Sequence, residues 1–277
     1  MVFQWCRFRL GKGPHGDALR PATTHPQCER LCWWSMTIPA PVPNSELPAL
    51  TETIWQFMPL PALLSVLQKS QLFFRRLAGL EDPNEGKFPQ IVLDSLNHSF
   101  HQSGTDQGAD PWTAERVEAS GRENWFVNCW HLNSVASPNM WEQYARSDGV
   151  AIRSTVGSLL KAWKAAEYRI TMNGVRYRDQ AATLTEVFPP FHKTVNFQLE
   201  KEFRAVLVVP SSGRHLVRHG GVYVSVDLDT LIEDIHLSPS MPLWVSEVVT
   251  VAVRERLGME CVPATEPPLH TGLDVKR

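Results

Sequence analysis

The stretch NWFVNCWHLNSVASPNMWEQYARSDGVAIRST, residues 124–155, contains two β-type segments on either side of a short helical one. The first segment alternates two sets of side chains along its length, and both sets carry apolar residues. These sets are Trp125, Val127, Cys129 and His131 in one register, and Phe126, Asn128, Trp130 and Leu132 in the other. The pattern therefore predicts a strand that is covered on both faces.

The middle segment, SPNMWEQYARS over residues 137–147, has the signature of a helix start. Ser137 stands at the N-cap position and Pro138 at the first helical position. Met140 and Tyr144 are four apart, so they share one helix face. The next segment, GVAIRST, is predicted as a strand, and we expect Gly149 to provide a positive-φ hinge into it.

Outward from this stretch, segments of both kinds continue along the chain with short loops between them. Strands are predicted at ETIWQFM, QLFFRR, YRITMNGVRY, FRAVLVVP and GGVYVSVDL. Helices are predicted at PLPALLSVLQKS, QIVLDSLNHSF, PPFHKTVNFQLE and PLWVSEVVTVAVRERLG. This mixture favours a single α+β domain over residues 51–263, with a central mostly antiparallel or mixed sheet and flanking helices.

The two ends of the chain lack such periodicity. Residues 1–50 mix Arg, Pro, Gly and His, and such a segment buries too little apolar surface to offset its ordering entropy. We therefore predict a disordered N-terminal extension, with Met36 as the expected true start of the protein. Residues 264–277 are predicted to be a flexible tail.

Composition excludes some classes of protein. The 277 residues are 43% hydrophobic and 20% charged, and 27 Lys and Arg face 29 Asp and Glu, for a net charge of -2. This balance argues against strong general nucleic-acid affinity. No apolar run approaches the roughly 20 residues of a membrane helix, so no membrane association is expected.

The cysteines indicate a reducing compartment, and a cytoplasmic location is expected, because they are few, odd in number and scattered. They are Cys6, Cys28, Cys32, Cys129 and Cys261. His25, Cys28 and Cys32 form a loose H-x2-C-x3-C cluster, but zinc normally requires a fourth ligand on an ordered frame. No metal site is therefore predicted.

Three ordered blocks resemble a bacterial domain-of-unknown-function family over most of Thr51 to Pro263. They are IWQFMPLPALLSVLQKSQLFF…LEDPNEG, VNCWHLNSVASPNMWEQYARSDGVAIRST and FHKTVNFQLEKEFRAVL. Gln56 stands where this family commonly has Arg, and Ala136 where an acidic residue often precedes the helix. A substrate-handling role at either position would make this chain an altered or inactive member. The resemblance implies an architecture and no reaction.

The polar residues of QLEKEFRAVL are the strongest candidates for chemistry. Glu200 and Glu202 are two apart at a strand entry, so in an extended chain both point to one face, beside Arg204. Such a group can order a ribose, hold a water molecule, or form a solvated ion pair at a sheet edge. These alternatives stay open on the sequence alone.

The aromatic block supplies further candidates with competing structural roles. His131 is a candidate acid or base, and Tyr144 can present its hydroxyl to a pocket. A lone His among aromatic residues is also typical of a hydrogen-bonded core, and the same pattern favours packing for the tryptophans and burial for Cys129. Asp82 and Glu85 belong to a DPNEG turn, which we interpret as structural.

The order of the segments also resembles, more distantly, ADP-ribosyltransferases. Gln198, Glu200 and Glu202 precede a strand as the late acidic motif of that class does, and RSTVGS from Arg153 is similar to its middle element. Gln56 occupies the place of the early Arg or His. The resemblance implies NAD as a candidate cofactor and a carboxylate that stabilises an oxocarbenium-like sugar.

We predict a cytoplasmic protein with one polar cleft that acts on a nucleotide or a nucleic-acid-linked substrate. The predicted catalytic residues are Glu202, Glu200, Tyr144 and His131; the predicted substrate-binding residues are Arg153, Arg204, Trp141 and Gln56. Two alternatives are a non-catalytic phosphate- or nucleotide-binding sensor and an interaction component of a mobile-element or phage-defence system. The sequence leaves the oligomeric state open.

Overall fold

The computed structural model of the chain describes residues 47–107, 111–164, 170–177 and 189–263. They form a large sheet with helices on its flanks, so the predicted α+β class with a central, mostly antiparallel or mixed sheet is confirmed. Of the predicted N-terminal extension only residues 47–50 are described. Met36, the cluster of His25, Cys28 and Cys32, and the predicted tail over residues 264–277 lie outside the described residues.

The strands are β1 (Thr53–Pro59), β2 (Gln71–Arg76), β3 (Trp125–Leu132), β4 (Gly149–Thr155), β5 (Ile170–Gly174), β6 (Arg176–Tyr177), β7 (His192–Lys193), β8 (Glu202–Val208), β9 (Gly221–Ser225), β10 (Asp234–Leu237) and β11 (Val262–Pro263). The helices are α1 (Leu60–Lys69), α2 (Gln90–Ser103), α3 (Ala114–Asn124), α4 (Pro138–Met140), α5 (Val156–Ala162), α6 (Leu228–Leu231) and α7 (Leu243–Leu257). Among the described residues, no helix has both the length and the apolar composition to cross a membrane.

The sheet divides at β3. One edge of β3 pairs with β8 along seven residue pairs, from Trp125↔Val208 to His131↔Glu202. The other edge is shared: β2 pairs with it near Val127, and β1 pairs with it near His131. The backbone between those two points therefore faces a gap between β1 and β2.

One face of the sheet carries the main hydrophobic core. Ile54, Trp130 and Phe203 are buried there, and α1 adds Leu63. Burying one such side chain contributes roughly 1.5–3 kcal/mol, so this face supplies much of the driving force for folding. The opposite face of β3 and β8 carries His131, Glu202 and other polar groups, because successive strand residues point to opposite sides.

The aromatic segment after β3 differs from the predicted helix. α4 forms a single turn and continues as a π-helical turn over Trp141–Ala145, and the Ser137 hydroxyl makes no capping bond although the residue does stand at the N-cap. Gly149 was predicted to adopt a positive φ, and this is wrong because its φ is -92°. Glycine is required at position 149 for a steric reason instead, because a Cβ there would lie 2.2 Å from the Ala145 carbonyl oxygen.

The predicted helix over residues 189–200 is also wrong. The chain forms two short 3₁₀ segments there, Pro189–Phe191 and Val195–Glu200, separated by the short strand β7. The helix is interrupted because His192 and Lys193 pair with Arg176 and Tyr177 of β6, and this pairing holds them in an extended conformation. Lys201 then adopts a left-handed conformation, φ 40°, before β8 begins.

Candidate functional site

A cluster of five charged side chains is buried on the polar face of β3 and β8. Its members are Glu85, Lys193, Glu200, Glu202 and Arg204. Each side chain is at most 10% exposed. We call this group the charged cluster. Three carboxylates face two cations, so the fully ionised cluster carries one excess negative charge.

Arg204 is the centre of the charged cluster and is 1% exposed. Its guanidinium contacts Glu85 Oε1 at 2.6 Å, donates to both Glu202 and the Pro190 carbonyl, and thus reaches three segments of the chain. Burial opposes its charge, but Glu202 raises the pKa of Arg204 well above its ordinary value. Burial of this group excludes one of the three alternatives that the sequence left open, namely a solvated ion pair at a sheet edge.

Lys193 joins all three carboxylates. Its Nζ lies 2.5 Å from Glu200 Oε2, 3.1 Å from Glu202 Oε1 and 3.4 Å from Glu85 Oε2. It also lies 4.6 Å from the centre of the Phe197 ring. Burial lowers the pKa of Lys193, but the carboxylates Glu202 and Glu85 outweigh it and raise the pKa overall. The ammonium is therefore held charged.

The two carboxylates predicted as catalytic have pKa values that move in opposite directions. Burial raises the pKa of Glu200 above its ordinary value, and the neighbouring Glu202 carboxylate adds to this shift. Burial also opposes ionisation of Glu202, but the charges of Arg204 and Lys193 lower its pKa to about 2. Such a divergence within one site is a common mark of acid and base roles.

Tyr144 connects the π-helical turn to the charged cluster. Its hydroxyl donates to Glu200 Oε1 at 3.2 Å, while its side chain remains 41% exposed. Burial and the neighbouring Glu200 charge raise the pKa of Tyr144, so the phenol stays protonated at neutral pH. The geometry expected of a reactive carboxylate, a cavity wall with a second polar group within reach, is thus present here.

A cavity of about 390 Å³ opens over the charged cluster. Its aromatic wall includes Trp55, Phe57, Phe73 and Phe197, and its polar wall includes Tyr144, His131, Glu200, Glu202, Lys193 and Arg204. Arg75 also lines this cavity and is exposed. The volume lies in the range of small-molecule sites, and a few convergent polar groups among aromatic side chains are typical of them.

Glu200 reaches the charged cluster by a route other than the predicted one. We expected an extended chain to align it with Glu202, but Glu200 ends a 3₁₀ segment and only Glu202 belongs to β8. The left-handed Lys201 between them turns the chain so that both carboxylates meet Lys193. His131, on β3 opposite Glu202, lies beside them with its Nδ1 2.6 Å from the Glu200 carbonyl oxygen.

Arg153 and Trp141 lie apart from the charged cluster, which corrects the prediction of one shared cleft. Arg153 forms ion pairs with Asp234, which is on β10, and with Glu233, which directly precedes that strand. Trp141 is buried against Phe57, their ring centres 5.0 Å apart. Both line a second groove of about 1180 Å³, and Trp55 is the wall that this groove shares with the cavity.

Gln56 faces the gap between β1 and β2 and does not line the cavity. Its amide donates to the Cys129 carbonyl oxygen at 3.4 Å, and the Asn128 amide donates to the Phe73 carbonyl oxygen at 3.1 Å. These side chains satisfy backbone groups that no neighbouring strand reaches. Gln56 thus has a structural contact here, and a substrate-binding role for it stays a prediction.

Sequence reasoning missed three members of the site: Glu85, Lys193 and Tyr177. Glu85 belongs to the predicted turn, in which Asp82 accepts from the Asn84 backbone N–H, and this turn directs Glu85 into the charged cluster. Lys193 was visible as the Lys of the FHKTVNFQLEKEFR block, but it was not predicted as a site residue. The Tyr177 hydroxyl accepts from the Glu202 backbone N–H at 2.7 Å.

Cys129 lines the cavity, but its thiol is not a reactive group. Burial raises the pKa of the Cys129 thiol to about 12, so it stays protonated and unreactive. Within the part of the chain that the structure describes, no three His, Cys, Asp or Glu side chains are grouped to hold a metal ion. The charged cluster instead pairs its acids with Lys193 and Arg204.

Comparisons with known proteins give no family for this chain. No protein-family model matches it, and no curated protein matches it.

Proposed function

We propose that the protein cleaves a glycosidic bond of a nucleotide and transfers the ribosyl group to water or to an acceptor, with NAD as the candidate substrate. The observation that carries this proposal is the position of both Glu200 and Glu202 in the wall of one cavity. Their cluster holds one excess negative charge when ionised. Such a charge favours a substrate that becomes cationic in its transition state, as an oxocarbenium-like ribose does.

The two carboxylates take different roles in this proposal. Glu202 stays ionised, with its pKa lowered to about 2, and its negative charge stabilises the developing sugar cation. Glu200 forms a hydrogen-bonded pair with the Tyr144 hydroxyl at the cavity wall and holds a ribose hydroxyl. Arg204 and Lys193 keep both carboxylates in place.

The remaining walls suit the rest of a nucleotide. The half-buried rings of Phe57 and Phe197 line the cavity and offer surfaces against which a planar base can pack. The exposed Arg75 lines the same cavity, and a guanidinium is well suited to bind phosphate. A dinucleotide such as NAD presents both groups, which supports it as the first substrate to test.

The test incubates the purified protein with NAD and measures nicotinamide release and transfer of labelled ADP-ribose. Glu202→Gln should lower turnover at least 100-fold, because it removes the negative charge next to the sugar. Glu200→Gln should also lower turnover, because an amide replaces the carboxylate that holds the ribose hydroxyl. Glu247→Gln removes an exposed carboxylate on α7 and should retain full activity. The melting temperature of each variant separates lost chemistry from lost folding.

A second outcome would favour a binding module over an enzyme. The guanidinium of Arg204 and the ammonium of Lys193 are both engaged with protein groups, which is also consistent with a rigid sensor. A rise in melting temperature with NAD, AMP or ADP-ribose, without any nicotinamide release, would indicate that function. The absence of both nicotinamide release and a melting shift would overturn the proposed function.

A further inference from the structure

His131 is a buried cavity-wall residue with one uncommitted nitrogen. Its side chain lines the cavity, and the residue is 4% exposed. Nδ1 lies 2.6 Å from the Glu200 carbonyl oxygen, whereas Nε2 has no hydrogen-bond partner among the described residues. A buried polar atom without a partner is costly, so its presence in a cavity wall points to a ligand that completes it.

The hydrogen bond fixes which nitrogen carries the proton. A carbonyl oxygen only accepts, so Nδ1 must donate and holds the proton of the neutral ring. Burial lowers the pKa of His131 below its ordinary value, although the bond to Glu200 opposes this shift. The neutral ring then presents Nε2 as an unprotonated acceptor.

The groups around His131 suit a residue that gains a proton briefly. Lys201 disfavours the imidazolium, whereas Glu202, opposite it on β8, favours it. β1 packs the uncharged rings of Trp55 and Phe57 near His131, and the ring centres of Phe57 and His131 are 6.2 Å apart. The protonated ring would therefore be stabilised mainly by Glu202 and the excess negative charge of the charged cluster.

We propose that His131 Nε2 is the base that accepts the proton of the attacking hydroxyl, from water or an acceptor alcohol, in the reaction proposed above. In this step the nucleophile O–H bond breaks and its proton moves to Nε2. A new C–O bond forms at C1′ of the ribose, and the C1′–N bond breaks. The electron pair of that bond leaves with the nicotinamide ring, which becomes neutral, and the imidazolium later returns its proton to solvent.

The inference rests on the proposed function, so one arm of its test does not need turnover. Nitrogen-15 NMR of the histidine rings in the ligand-free protein should show His131 neutral at pH 7 with the proton on Nδ1, and a resonance lost in His131→Asn assigns it. A ring protonated on Nε2, or one that is charged at pH 7, would overturn the inference whatever the activity.

The second arm measures kinetics with NAD. His131→Asn keeps a donor for the Glu200 carbonyl and removes the base; His131→Gln keeps an acceptor near the Nε2 position without its basicity. Both should lower kcat at least 100-fold, leave KM for NAD within threefold, and abolish the acidic limb of the pH profile. The melting temperature of both variants should stay near that of the wild type.

The outcomes separate the two proposals. An active wild type whose His131→Asn variant keeps its kcat within threefold and its acidic limb overturns the role of His131 and leaves the proposed function standing. A wild type that neither binds NAD nor releases nicotinamide overturns the proposed function and the base role together, and the NMR arm then reports only the tautomer.

Discussion

At the scale of single residues, burial decides what an ion pair contributes. Arg204 and Arg153 each contact two carboxylates, but Arg204 is 1% exposed and Arg153 is 33% exposed. Exposed pairs are screened by water, whereas a buried charge that loses its partner cannot be resolvated. An arginine therefore contributes much to the free energy of unfolding in the charged cluster and little in the second groove.

This contrast predicts two different costs of losing a guanidinium. Arg204→Met keeps most of the side-chain length but removes one of the two buried cations that Glu85 and Glu202 contact, so it should reduce the free energy of unfolding by about 3–5 kcal/mol. Arg153→Met is the matched control, and it should cost under about 1 kcal/mol. Urea unfolding at pH 7 measures both. Equal losses of unfolding free energy in the two variants would show that burial does not make the Arg204 ion pairs more important than those of Arg153.

At the scale of elements, the π-helical turn is the device that presents Tyr144 to Glu200. It adds one residue to the turn over Trp141–Ala145, and the chain then enters β4 through Gly149. Gly149 has space for a hydrogen and for nothing larger, because the Ala145 carbonyl lies directly against it. The position of Tyr144 thus depends on a glycine that never touches the cavity.

We expect Gly149→Ala to destabilise the protein by about 1–3 kcal/mol, since the new methyl group must displace the Ala145 backbone. The displacement should also weaken the Tyr144–Glu200 hydrogen bond and lower any nicotinamide release. Gly79→Ala is the control, because a Cβ at Gly79 meets nothing within 4 Å. Chemical denaturation measures both changes, and a neutral Gly149→Ala would show that the turn is free to shift.

The elements also show which parts of the fold were predictable. Local periodicity predicted β1, α1, β2 and β3 and the end of α7 at Gly258, which adopts a left-handed conformation as expected for a helix stop. The entry of Glu85 into the charged cluster depends on pairing between distant strands. The inward turn of Glu200 depends on the left-handed Lys201, and no sequence pattern identifies that conformation for a lysine. Fold class was therefore predictable, and the full site was not.

At the scale of the whole molecule, a second surface is separate from the cavity. α7 buries Val245, Val249 and Val253, while its other side exposes Trp244 at 70% and Val248 at 62%. Exposed apolar patches of this kind are typical of interaction surfaces. The interaction role stays a prediction, because the described residues do not show what covers α7.

The charged cluster makes the stability of the whole molecule depend on pH with a definite sign. Glu202 has its pKa lowered to about 2, so in acid the unfolded chain binds its proton before the folded chain does. Its contribution is present above the ordinary glutamate pKa and is lost as the pH falls toward 2. Glu200 acts oppositely: its raised pKa gives stability that is present at low pH and lost as the pH rises through the folded value.

We expect acid to destabilise the wild type steeply between about pH 4.5 and pH 2, with on the order of 3 kcal/mol of the loss arising from Glu202. Glu202→Gln should be less stable at pH 7, because Arg204 and Lys193 lose a partner, yet its curve should be flatter in acid. Glu247→Gln removes an exposed carboxylate and should keep the wild-type slope. Unfolding free energies at pH 7, 4.5 and 3 test this, and an unchanged acid slope in Glu202→Gln would mean that Glu202 is not held ionised by the charged cluster.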